Sequence, residues 1–491
     1  MEQVMSSISL SAIAPELVLV ACGLIVLMIQ AVVGRKYPDS FAYVSLLGVA
    51  VALVLVWKQP GPFDARIVEY SFMDMWVVDN FSRFFKIIFL LGTGLTVLIS
   101  IKYLHNEALQ HSEYYALMLM CTVGMMVMAG AAELITIFLG VELMSISLYA
   151  LAGYTRTRML SNEAAIKYFI LGSFASAFLI YGIALIYGTT GTSQIPDIAR
   201  YLAQEGGGAA VLVMGMALLI VGFGFKTAAV PFHMWAPDVY EGAPAPVTGF
   251  MSAGPKAAAF AAFVRIFMEA LPRLQTDWVM VIWILAVLTM TIGNVVALVQ
   301  ENIKRMLAYS SIAHAGYVLV AFIAAGELGL TSILYYMLVY TFMNLGAFAV
   351  ITMLAGDGES RVKVEDYRGV GYKHPVAALA MSLFLFSLAG IPPTGGFMGK
   401  FYIFSAAVKQ GFIWLAIVGV LNSVVSVYYY LRVTVAMYMQ PPGRTEDVPA
   451  ATALSPALIV AVFISAYGVL TLGLFPSTYV AMVKASFLSF L

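Results

Sequence analysis

Apolar runs of roughly 20 residues, separated by short polar joints, recur along almost the whole chain, and each is long enough to cross a hydrocarbon core of about 30 Å as a helix. Taking stretches of roughly 17–25 mostly apolar residues gives about fourteen spans. They lie near 13–33, 41–57, 84–101, 113–131, 134–153, 164–188, 209–230, 244–269, 278–299, 305–325, 328–354, 375–408, 411–438 and 454–476. The pattern predicts an all-α polytopic membrane protein. Composition agrees, with 62% hydrophobic and 11% charged residues, where a soluble domain carries about 25% charged residues.

Residues 1–15 contain no basic stretch, so the first span is expected to be retained and not cleaved as a signal peptide. Net charge is zero, and nothing suggests a nucleic-acid partner. Cys22 and Cys121 stand alone in apolar spans without CxxC or Cys/His spacing, which predicts free buried thiols and no metal, haem or iron–sulfur ligation in this chain. Basic residues concentrate in the joints after odd-numbered spans: Arg35 and Lys36, Lys102, Arg156 and Arg158, Lys304 and Arg305, then Arg361, Lys363, Arg368 and Lys373. The largest joint on the other side, 58–83, offsets its basic residues with Asp64, Glu69, Asp74 and Asp79. The positive-inside rule then places both termini on the non-cytoplasmic side.

A duplication is faintly visible. The segment "YFILGSFASAF" from Tyr168 lies over "YYMLVYTFMNLG", matching Tyr168 with Tyr336, Ser173 with Thr341 and Phe174 with Phe342. Independently, "MALLIVGFGFKTAAVP" and "MSLFLFSLAGIPPTGGFMGK" are apolar helices interrupted by Gly and Pro, each with a lysine at the interruption. Five spans separate them, so the two repeats are inverted, and paired broken helices in inverted repeats point to an ion path at the midplane. The expected division is an N-terminal three-helix segment (1–112), a first repeat of spans four to eight (113–270), a second inverted repeat (271–440) and a C-terminal helix (441–491).

A charge at the centre of a span costs about 2.5–3.5 kcal/mol on insertion scales. Glu142, Lys226, Lys256 and Lys400 nevertheless lie inside spans. Lys167 is close enough to a span end to snorkel, and Glu133 reads as a solvated joint residue. A lysine deprived of water is an acid–base group that works near neutrality, and a carboxylate at changing distance switches it between holding and releasing a proton. A static Glu142–Lys226 ion pair that only fixes packing is the alternative. Pro231, Pro255 and the Pro392–Pro393 pair free backbone groups beside the lysines. Such groups are tolerated in a membrane where protein or water lines them. His233, at the broken segment, and His314, mid-span beside Ser310 and Ser311, are candidate relays.

The stretch "KTAAVPFHMWAPDVYEGAPAPVT", the "PK" pair at Pro255–Lys256 and "NIKRMLAYSSIAHAGY" resemble the antiporter-like subunit N family of complex I, the proton-pumping NADH:quinone oxidoreductase. The resemblance covers nearly the whole chain. It implies a relay of Glu142, Lys226, Lys256 and Lys400, and matches His314 to a family histidine. The sister subunit M would carry a glutamate at Lys400, and subunit L would add two spans and a lateral helix. What the resemblance implies is a proton-translocating, non-redox membrane-arm subunit of a respiratory complex in the bacterial inner membrane. Quinone, NADH, FMN and Fe–S clusters would be handled by other subunits. Subunits K and M would be neighbours, the lateral helix of subunit L a further contact, and the lipid bilayer its surroundings. A multi-subunit Na+/H+ antiporter, a membrane-bound hydrogenase or ferredoxin-driven complex, and a passive scaffold are the rival readings.

Overall fold

The computed structural model describes residues 9–34, 37–59, 68–206, 210–441 and 455–487. Arg35, Lys36 and Asp64, used above to orient the chain, lie outside them. Among the described residues, 13 helices are long and apolar enough to cross a membrane.

The N-terminal segment holds α1 (Ala14–Val33), α2 (Asp39–Lys58) and α3 (Asn80–Asn106). Between α2 and α3 the chain forms an antiparallel hairpin of β1 (Val68–Ser71) and β2 (Trp76–Asp79), which the hydropathy pattern does not anticipate. Asp79 closes the hairpin and starts α3: its carboxylate accepts from the backbone N–H of Ser82 while the Ser82 hydroxyl accepts from the N–H of Asp79. This reciprocal cap satisfies two donors that a helix start leaves open.

The first repeat runs through α4 (Ser112–Gly130), α5 (Leu134–Ala152), α6 (Met159–Thr190), a short amphipathic α7 (Ile195–Glu205), α8 (Ala210–Thr227), α9 (Trp235–Gly242) and α10 (Ala245–Arg265). The second comprises α11 (Gln275–Leu298), α12 (Ile303–Ala324), α13 (Gly326–Leu354), α14 (Pro375–Ala389), α15 (Gly395–Lys409) and α16 (Ile413–Met439); α17 (Pro456–Leu474) and α18 (Pro476–Phe487) follow. The expected single span at 375–408 is therefore two shorter helices, separated at Gly390–Thr394 where the paired prolines leave no N–H to continue the ladder. In the first repeat α8 stops at Thr227, one residue beyond Lys226, and the chain resumes as α9. Each repeat has one broken helix, as the Gly/Pro interruptions predict. Pro255, by contrast, sits inside an unbroken α10.

Close glycine contacts mark the same place in both repeats. A Cβ on Gly124 would lie 2.5 Å from the Met144 nitrogen, pinning α4 to α5, and one on Gly293 would lie 2.7 Å from the Ala313 nitrogen, pinning α11 to α12. Helices α10, α12 and α13 are buried almost throughout. They form the core where the two repeats meet, whereas α1, α6, α11 and α16 show apolar side chains on their outer faces.

Candidate functional site

Every intramembrane charge singled out from the sequence lies at or near this core, and each has a specific oxygen partner. Glu142 is half-buried on α5 and accepts a short hydrogen bond from the Ser176 hydroxyl of α6. Lys226, 5% exposed at the last turn of α8, donates to Ser145 Oγ at 2.7 Å. Ser145 follows Glu142 by three residues, which places both on one face of α5. Among the described ion pairs within 4.0 Å, none joins Glu142 to Lys226. Carboxylate and amine approach the same turn of α5 without touching, so the static pair is not formed.

Lys256, buried on α10, donates across the repeat boundary to α12, reaching Ser311 Oγ at 2.6 Å and the Ser311 carbonyl at 3.0 Å. One residue earlier, Ser310 forms a short hydrogen bond with the Tyr430 hydroxyl of α16. Tyr430 lies 3.0 Å from His314 Nε2, and Tyr336 of α13 forms a short bond with Nδ1. Both ring nitrogens of His314 therefore face phenol oxygens, an arrangement that can receive a proton on one side and release it on the other. Tyr317, one turn beyond His314, presents its ring 4.9 Å from Lys400 Nζ. Lys400, buried on α15, donates to the carbonyls of Leu388 (2.9 Å) and Ala389 (3.0 Å) and to Ser423 Oγ (2.9 Å). These carbonyls end α14, so the ammonium sits at the open, partially negative end of a half-helix.

Hydrogen bonds do not join all of these groups. Between Lys226 and Lys256 runs an aromatic series: Tyr149 5.9 Å from Lys226 Nζ, Tyr149 to Tyr168, Tyr168 stacked on Trp235, and Tyr240 5.8 Å from Lys256 Nζ. His233 lies in the break between α8 and α9, and among the described residues its Nδ1 meets no hydrogen-bond partner. It stands apart from the contacts of the four charged residues.

The sequence misses the hydroxyl partners Ser145, Ser176, Ser311 and Ser423 and the phenols Tyr336 and Tyr430. Only Ser145 and the Ser310–Ser311 pair carried a signal, three or four residues from a singled-out group. Three buried ion pairs were also missed, one of them Lys304 with Glu359, described below. Lys86 on α3 meets Glu16 on α1 at 2.8 Å, and Arg265 at the end of α10 meets Asp79 of the hairpin at 3.0 Å.

At the end of the bundle opposite the hairpin, the polar residues of the broken first-repeat segment have surface partners. Lys167 pairs with Glu163 and Asp238, each at 2.6 Å, and Arg305 joins Asp238 (2.7 Å) to Glu241 (2.9 Å). Glu133, at the hairpin end, is not simply solvated: it accepts from Thr136 and from Ser193.

Beside the surface group is a buried one. Glu359, in the joint after α13, meets Lys304 Nζ at 2.8 Å and Arg158 Nη1 at 3.6 Å and accepts from the Ala245 N–H at 2.7 Å. Burial pushes its carboxyl up, but Lys304, the Ala245 N–H and Arg158 outweigh this and hold it below its ordinary 4.5. Tyr103, Glu107 and Tyr367 are the other titratable groups near it. A depressed carboxyl contributes stability that is fully present above 4.5 and is lost as pH falls through the folded-state value. The Tm of the detergent-solubilised protein is therefore expected to drop on acidification below that point, and to drop less in Glu359→Gln/Lys304→Met, which removes both charges of the pair.

The family model described as NADH:quinone oxidoreductase/Mrp antiporter, TM, matches residues 131–426. NADH-quinone oxidoreductase subunit N of Trichlorobacter lovleyi is 53% identical over 479 residues, 97% of this chain and 96% of the relative. The F(420)H(2) dehydrogenase subunit N of Methanosarcina mazei is 42% identical over 483 residues, 96% and 97% of the two chains. Among solved structures, a chain of respiratory complex I from Thermus thermophilus superposes with TM-score 0.79 at 34% identity, covering 96% of this chain and 99% of that one.

Proposed function

Because this chain belongs to the NADH:quinone oxidoreductase/Mrp antiporter membrane-subunit family, we propose that it is the antiporter-like subunit N of a proton-translocating NADH:quinone oxidoreductase, a translocase subunit without redox chemistry of its own. The observation that carries the reading is the set of three buried lysines, each held by hydroxyl or carbonyl oxygens with no carboxylate at ion-pair distance among the described residues, distributed over two inverted repeats that meet at Lys256 and Ser311. A permanently paired lysine is a packing device; one resting on neutral oxygens can lose and regain its proton without leaving a buried anion stranded.

Glu142 modulates Lys226 across Ser145. Lys226 exchanges protons with Lys256, the Ser311–Ser310–Tyr430–His314 series carries the proton into the second repeat, and Lys400 passes it to the outlet. His233 serves only where water joins it to this series. Moving one charge against 100 mV costs about 2.3 kcal/mol, while one pKa unit is worth about 1.4 kcal/mol, so a modest shift in the Glu142–Lys226 interaction is large enough to drive a step.

The proposed division of the chain is 1–112, 113–270, 271–440 and 441–491. NADH, FMN, Fe–S clusters and quinone are proposed to belong to other subunits, a reading supported by the lack of CxxC spacing around Cys22 and Cys121. Subunits K and M and the lateral helix of subunit L are the proposed neighbours. The bacterial inner membrane, with both termini on the non-cytoplasmic side, is the proposed setting.

The test uses inverted membrane vesicles carrying the whole complex in sodium-free medium, with Lys256→Ala beside the wild type. The wild type is expected to take up protons on donor addition without sodium. Lys256→Ala is expected to assemble and lose about tenfold or more of that uptake, in line with removing a proton-transfer group. A strict sodium requirement would favour the antiporter reading, and undiminished uptake by the variant would reject the relay.

A further inference from the structure

Glu359 makes contacts that surface residues do not. It is 9% exposed, and its backbone adopts φ +49°, a left-handed conformation uncommon for a residue with a Cβ. That conformation aims one carboxylate oxygen at the Ala245 N–H, in the first turn of α10, and the other at Lys304, in the first turn of α12, and at Arg158, the residue that precedes α6. Lys304 also donates to the Ala243 carbonyl at the end of α9, and Arg158 is held on its far side by Glu107, at the end of α3, at 2.7 Å. Glu107 in turn accepts from the N–H of Gly358, closing the loop on itself.

Helices α10 and α12 are the two whose separation decides the crossing between repeats, because Lys256 and Ser311 face each other across it. Eleven residues separate Ala245 from Lys256 and seven separate Lys304 from Ser311, about 16 Å and 10 Å along the helix axes at 1.5 Å per residue. A helix is stiff over such lengths, so the relative height of the two helix starts fixes whether Lys256 Nζ meets Ser311.

We propose that Glu359 is a positioning residue for proton transfer: its carboxylate pins the starts of α10 and α12 and the α5–α6 joint at Arg158, and so sets the alignment of Lys256 with Ser311 between the two repeats. The inference rests on the relay reading above and adds to it a residue that touches none of the relay groups.

Glu359→Gln alone strands the buried Lys304 and can fail to fold for that reason, so the test pairs it with Glu359→Gln/Lys304→Met, which removes both charges. Both are assembled into the complete complex, checked on native gels, and assayed in vesicles for protons moved per donor oxidised, with Lys226→Ala as the control. The double variant is expected to assemble as the wild type does, to keep its donor oxidation, and to move about threefold fewer protons per donor, the size of change that mutations along a coupled network bring. A wild-type ratio in the double variant alongside a depressed ratio in Lys226→Ala would overturn the positioning role and leave the relay standing. Wild-type ratios in both would overturn the relay itself. Failure of both Glu359 variants to assemble would make Glu359 a folding residue and overturn the proposal as well.

Discussion

Lys226→Ala is expected to assemble and to lose about tenfold or more of donor-driven proton translocation, the scale of removing a positioned proton-transfer group. Assembly should survive for a specific reason. Removing one member of a buried ion pair leaves an uncompensated charge and destabilises strongly, but Lys226 rests on Ser145 Oγ, which also donates to the Val141 carbonyl and keeps that bond when the amine is gone. Glu142, whose own contact is with Ser176, keeps it too. The measurements are native-gel abundance of the complex, donor oxidation and vesicle acidification on the same membranes. Normal acidification with normal abundance would reduce Lys226 to a packing residue and end the proposed mechanism. Loss of abundance would show that the lysine is held by an interaction stronger than the Ser145 bond.

The largest structural effect is expected from Gly396→Ala. A Cβ at this position would lie 1.8 Å from the Ser387 carbonyl oxygen and 2.7 Å from its carbon, both backbone atoms that cannot rotate aside. Gly396 lies in the first turn of α15, where its N–H donates to Ser387 Oγ at 3.1 Å, and Lys400 follows one turn later. Added methyls in packed interiors cost about 1–3 kcal/mol through forced shifts, and a backbone contact this short places the cost at or above the top of that range. Here the shift would also pull Lys400 from the carbonyls that end α14. Little assembled complex is expected in a native-gel and thermal-melt comparison. Gly188→Ala is the control, because nothing lies within 4 Å of its added Cβ. Equal yields for the two variants would show that α14 and α15 can separate freely, and the break would then not hold Lys400 in place.

The features legible in the sequence are those with a large one-body cost. A lysine in hydrocarbon or a proline in a helix is expensive wherever its neighbours are, so Glu142, Lys226, Lys256 and Lys400 and the two helix breaks could be found by scanning. The partners could not. Serine and threonine in membrane helices commonly bond their own preceding turn, as Thr93 and Ser382 do here, and nothing local separates those from Ser176, which donates to Glu142, or Ser423, which holds Lys400. Pairs such as Lys86 with Glu16 depend on which helices pack together, information that hydropathy does not contain. The β-hairpin was hidden for a similar reason, since its strands are only four residues each. The alternative of a static Glu142–Lys226 pair turned on one such contact: Lys226 reaches α5 at Ser145, three residues from Glu142, and bonds its hydroxyl, while Glu142 bonds Ser176.

The manner in which the three lysines are held has a consequence for how many protons the chain can carry at once. Each rests on neutral oxygens, and among the four charged relay positions Glu142 is the one anion. Like charges in a poorly screened interior disfavour one another. Charging one position therefore makes its neighbour harder to charge, without any moving gate between them. In the proposed relay, traffic of this kind would be single-file: a proton arriving at Lys226 would urge the one at Lys256 onward, and the direction would come from the two ends opening to opposite sides of the membrane at different times.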